Sequence, residues 1–210
     1  MSVRENWMIL SLKCISMANL AEVTYNCVGD KKQIKALYRT LSNLNKRKTP
    51  VVKNGWGLLW LGCVIEKLGG NWENYSCRGE ILDFYMDDDV LVINQETAWG
   101  EQDGFRQFLK ETYPDIEIYY VEEEPGCGVY STNDSSGIYF PDRYFLDCCG
   151  GDMSEYYRTI DEAVKDVQDI VGHPVEPTVE AIQKALDVYV EEHEEEDVYY
   201  AFNEFVVNED

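Results

Sequence analysis

The chain has 210 residues, 45% of them apolar, enough to bury a sizeable core without disulfide staples. Its formal net charge of −22 at pH 7 argues against anionic membranes and nucleic acid as partners for most of the surface, because like charges repel over a Debye length of roughly 8 Å at physiological salt. Its seven cysteines are odd in number, scattered and without a C-x-x-C spacing, which speaks against a secreted disulfide framework or a zinc ribbon.

Reduced thiols, and no apolar run near the roughly 20 residues of a membrane span, make a cytoplasmic protein the expectation. The charge is unevenly placed. Residues 1–53 hold ten Lys/Arg against three acids, and residues 176–210 hold one Lys against twelve acids. The first stretch is therefore net +7, the last −11, and the middle carries −18.

Residues 1–16 differ in character from the rest of the chain, and Met17-Ala18-Asn19 reads as a second possible start, so the leading stretch is expected to be an extension. Val23, Tyr25 and Cys27 then alternate with polar residues as a strand does, and Gly29-Asp30 closes it. From 31 to 45, Ile34, Leu37, Tyr38, Leu41 and Leu44 recur at helical intervals, with Asp30 placed to cap. After a basic loop, Asn54-Gly55-Trp56-Gly57 precedes a second expected helix at 58–68 that Gly69-Gly70 ends.

Residues 79–86 read as a strand with Leu82, Phe84 and Met86 on one face, joined through Asp87-Asp88-Asp89 to a partner strand over 90–95. Phe105, Phe108 and Leu109 suit a helix that Pro114 stops, and Ile116, Ile118 and Tyr120 alternate as another strand. The order from 20 to 124 is β-α-(insert)-β-β-α-β, the plan of an α+β, ferredoxin-like split βαβ antiparallel sheet. Beyond it the expectation is a C-terminal β-hairpin and two helices. The first of these has a capping box at Thr159-x-x-Glu162, and the second starts at Pro177-Thr178. Val198 to Val207 suits either strand or helix. The expected organisation is 1–16, an extension; 17–147, the α+β domain; 148–210, an acidic, mainly helical extension packed on it.

Four short motifs stand at strand ends: Met17-Ala18-Asn19, Asn54-Gly55-Trp56-Gly57 with Trp60, Glu96-Thr97-Ala98-Trp99, and Tyr113-Pro114-Asp115 ahead of Tyr120 to Gly126. Over residues 17–147 the chain thereby resembles the YubB-type ferredoxin-like family of phage, plasmid and other mobile-element proteins. It departs from that pattern at Leu58-Leu59-Trp60 and at Gly100-Glu101. The resemblance implies a fold and brings no activity with it.

Trp56, Trp60, Trp72 and Trp99 lie near loop breaks that can converge on a ligand or peptide pocket, or fill the core beneath the 50–76 insert. Asp87-Asp88-Asp89 lacks the spacing of a calcium loop and reads as a solvated tip. Cys148-Cys149 reads as structural thiols, and His173 and His193 leave few candidates for a nucleophile-base dyad. Glu122-Glu123-Glu124 reads as a solvated edge. The acidic run Glu191, Glu192, Glu194, Glu195, Glu196 and Asp197 is either a frayed helix end or a face presented to a basic partner.

No metal site, cofactor or catalytic set is expected. The leading expectation is a non-enzymatic interaction protein whose partner is a protein with a basic surface, in its sharpest form a DNA mimic that inhibits a nucleic-acid-processing partner. Two alternatives stay open at this point. One is a small-molecule or metal-dependent enzyme with a Trp-lined site, and the other a single-stranded nucleic-acid binder using the sheet face and the basic first helix.

Overall fold

The computed structural model describes residues 19–149, 154–193 and 198–209. The expected extension 1–16, with Met17 and Ala18, and the acidic residues Glu194, Glu195, Glu196 and Asp197 lie outside the described residues.

The first strand, β1 (Leu20–Gly29), buries Ala21, Val23, Tyr25 and Cys27 on one face. Asp30 then caps α1 (Lys31–Asn45), its carboxylate accepting from the amides of Lys32 and Gln33. Ile34, Leu37, Leu41 and Leu44 form the buried stripe of that helix, as their spacing predicts. Gly29 is obligatory at the junction. Its φ is +120°, and an added Cβ would stand 2.3 Å from the carbonyl oxygen of Asp115.

The insert forms α2 (Leu61–Lys67), shorter than expected because Leu58 to Trp60 run alongside the next strand, where Leu59 O accepts from Ile81 N. β2 (Gly79–Asp87) and β3 (Val90–Ala98) make a hairpin turned by Asp88 and Asp89, α3 (Asp103–Thr112) comes next, and β4 (Ile116–Glu124) completes the set. β2 carries a bulge at Leu82, between Ile81 and Asp83. The extra residue shifts the alternation, so Ile81, Phe84 and Met86 join the core while Leu82 is exposed. This corrects the even Leu82, Phe84, Met86 face expected from the sequence.

β5 (Val129–Thr132) pairs with β4, and β9 (Val206–Val207) pairs with β5 in parallel. The large sheet has the order β2-β3-β1-β4-β5-β9 and is antiparallel except at its last pair. Helices α1, α2 and α3 cover one face of it and share one core with β1 to β4.

The hairpin expected after residue 125 does not form: β5 extends the large sheet, whereas β6 (Tyr144–Cys149) is the centre of a second sheet between β7 (Glu155–Tyr157) and β8 (Tyr199–Glu204). Two helices pack on this sheet. They are α4 (Ile160–Val171), held by the Thr159–Glu162 capping box, and α5 (Val179–Glu192). The ambiguous Val198–Val207 stretch is strand, split between the two sheets as β8 and β9. A third cluster of Tyr130, Phe145 and Phe205 locks the sheets together. The result is a mixed α+β protein with five described helices, none long and apolar enough to cross a membrane.

Candidate functional site

Alternation on β1 that buries Tyr25 and Val23 beneath the helices turns Glu22, Thr24 and Asn26 to the opposite, open face. Residues directly opposed in an antiparallel ladder share a face. Glu22 opposes Glu96 of β3 and Glu123 of β4, and Glu96 in turn opposes Glu80 of β2. Four glutamates therefore form one row, Glu80-Glu96-Glu22-Glu123, across four adjacent strands. Each is spaced from the next by about 4.8 Å, the distance between strands. Asp83 and Asp87 flank the row on β2, and the same face carries Thr24, Asn26, Tyr85, Val92, Asn94, Tyr119 and Val121; no Lys or Arg lies on it within β1 to β4, the exposed Arg78 standing just ahead of β2.

Like charges in direct cross-strand opposition are unfavourable. Burial, then the neighbouring Glu96, raises the pKa of Glu80. Burial likewise raises Glu123, with Glu22 and Asp142 adding to it, while the Tyr156 hydroxyl, which donates to Glu123 over 2.8 Å, pulls the other way. None of the four glutamates has a Lys, Arg or His partner among the described residues. The row is thus an uncompensated line of negative charge.

At its Glu123 end the second sheet approaches, and a hollow of about 260 Å³ opens between Val121, Glu123, Tyr139, Phe140, Pro141, Asp142, Tyr156 and Phe205. Beneath the helices the charge is handled differently. Glu101 accepts from the Tyr25 hydroxyl and from Arg106 Nε at 3.1 Å, and Glu122 accepts from Ser131 Oγ at 2.5 Å and from the Glu101 amide. The Arg106 guanidinium lies 4.9 Å from the centre of the Tyr120 ring. These buried carboxylates are satisfied within the fold, and those of the open face are not.

Of the residues singled out in the sequence, Trp60 and Trp72 meet edge to face at 5.0 Å, and Trp56 packs against the same core. Trp99, with φ +74° and 54% exposure, stands apart at the end of β3. Among the described residues neither hollow of about 510 Å³ is lined by a tryptophan. The large apolar surface of Trp56, Trp60 and Trp72 closes the insert over the sheet instead.

Asp89 lies at the hairpin tip, 2.6 Å from Lys31 Nζ, with both side chains largely exposed. Cys148 packs at the second core. His173 contacts the Pro174 carbonyl, and His193 stacks on Tyr189 at the end of α5, beyond the exposed Glu191 and Glu192. The solvated edge expected at Glu122-Glu123-Glu124 is corrected. β4 lies inside the sheet, between β1 and β5, and its alternation puts Glu122 and Glu124 on the buried side with Ile118 and Tyr120, so that of the three only Glu123 turns to the open face. The row itself was missed, since each glutamate is an ordinary alternating residue until long-range register brings the four together. Among the described residues no group of three or more His, Cys, Asp or Glu is arranged to hold a metal ion.

Fold and face together define an α+β protein with a helix-covered sheet surface and an acidic open one. No protein-family model, curated protein or solved structure matches the chain.

Proposed function

We propose that this is a macromolecular interaction protein that presents the open face of its large sheet to a protein with a basic surface. The observation that carries the reading is the Glu80-Glu96-Glu22-Glu123 row, which has no cationic partner among the described residues and sets like charges directly opposite one another. Evenly spaced carboxylates on a sheet suit a groove built for a nucleic-acid backbone, which is the DNA-mimic form of the proposal.

The strand order β2-β3-β1-β4, antiparallel throughout with helices on one face, supports reading residues 20–124 as ferredoxin-like and is in keeping with the YubB-type resemblance. The exposed cations of α1, Lys32, Lys35 and Arg39, sit on the helix side of that sheet, away from the row.

The test is binding of an oligoarginine peptide of about ten residues as salt is varied. The proposal expects affinity to fall roughly 100-fold between 50 and 200 mM salt, the change given by release of about four counterions. Glu22→Gln/Glu96→Gln should lose about half of that slope, and the charge-matched control Glu73→Gln/Glu176→Gln should keep it. Equal loss in both variants would reduce the effect to net charge and remove the face as the site.

A further inference from the structure

The hollow at the Glu123 end of the row differs chemically from the rest of the face. Its walls are aromatic, with Tyr139 and Phe140 from the loop after β5, Tyr156 from β7 and Phe205 between β8 and β9, and its charged groups are Glu123 and Asp142. At about 260 Å³ it is of a size for one long side chain.

The loop that builds one wall is held rigidly. The Asp134 carboxylate accepts from the amides of Tyr139 and Phe140 at 2.7 and 2.9 Å and from Gly137 at 3.0 Å. Tyr139 stacks on Tyr119 of β4 at 4.6 Å. The facing wall is fixed by Tyr156, which stacks on Phe145 at 4.4 Å and donates to Glu123. The one cation built into this loop, Arg143, donates to the carbonyl oxygens of Phe140, Asp142 and Asp134. Glu123 and Asp142 have no cationic partner among the described residues.

An aromatic-walled hollow lined by two carboxylates that have no cationic partner among the described residues has the complement of a guanidinium. Ring faces attract a delocalised cation, and a carboxylate accepts its planar fork of donors. We propose that this hollow is an arginine-binding cage in which a single arginine of the basic partner anchors, with the rest of the partner's basic segment lying along the glutamate row. The preformed walls lower the ordering cost of capture. The proposal rests on the reading of the row as a partner surface and adds a preference for arginine over lysine that the row alone does not provide.

That preference separates the two. Oligoarginine and oligolysine peptides of equal length are compared on the wild type, on the row variant Glu22→Gln/Glu96→Gln and on the cage variant Tyr156→Ala/Asp142→Asn. Tyr156 is 45% exposed, so its truncation is compatible with folding, and the thermal transition of each variant checks this. The expected result is about a fivefold preference for oligoarginine in the wild type, kept in the row variant and abolished in the cage variant. Equal binding of both peptides by the wild type, or a preference that survives in the cage variant, overturns the cage and leaves the row untouched. Unchanged binding in the row variant overturns the row.

A second measurement needs no variant. Titrating the wild type with N-acetyl-arginine methylamide should shift the ring proton resonances of Tyr139 and Tyr156, and unmoved rings would equally overturn the cage.

Discussion

Asp134 is fully buried, and its carboxylate organises the loop between β5 and β6 through Ser136, Gly137, Tyr139 and Phe140. Burial by itself pushes the acid upward, but the hydrogen bonds from Ser136, Phe140, Tyr139 and Gly137 outweigh it and hold the group below its ordinary value. A carboxyl depressed in this way adds stability that is fully present above its unfolded pKa and is lost as pH falls through the folded one. Asp134→Asn should therefore cost about 1–3 kcal/mol at pH 7, and the gap between wild type and variant should close on acidification. Urea unfolding at a series of pH values measures it. A gap that is constant with pH would mean that the charge on Asp134 has no part in holding the loop.

At the scale of elements, the bulge in β2 decides which side chains reach the core. Ile81→Ala should cost about 2–5 kcal/mol, as for a buried aliphatic, whereas Leu82→Ala should stay within about 0.5 kcal/mol. Denaturant unfolding of the pair checks the bulge directly, because an unbroken alternation through Leu82, Phe84 and Met86 demands the reverse order.

Elements with local signals were legible in the sequence. α1 carries its cap at Asp30 and its stripe from Ile34 to Leu44, and α4 carries a complete capping box at Thr159 and Glu162. The bulge was not legible, because Leu82 is as apolar as Ile81 before it and Phe84 two residues on, and only pairing with β3 shows that it has no partner. The parting of β5 from β6 was equally hidden, since a turn after Thr132 suits a hairpin until Phe145 finds Tyr130 and Phe205. The glutamate row needed three separate registers to exist. Glu123 could not be told from Glu122 and Glu124 until the strand's alternation was known to hold through residue 124, which puts Glu122 and Glu124 on the buried side with Ile118 and Tyr120 and leaves Glu123 facing outward.

For the molecule as a whole, the net charge of −22 turns out to be an arrangement. The exposed cations Lys31, Lys32, Lys35 and Arg39 belong to α1 on one side of the large sheet, and the glutamate row crosses the other. Lys31 meets Asp89 at the hairpin tip, but no such pair neutralises the row among the described residues, so internal complementarity leaves the open face charged.

The most direct test maps where a basic probe lands. Backbone amide resonances followed during titration with oligoarginine should shift at Glu22, Glu80, Glu96 and Glu123 and around Tyr156. Shifts confined to the end of α5 near Glu191 and Glu192, with the open face unmoved, would contradict the account.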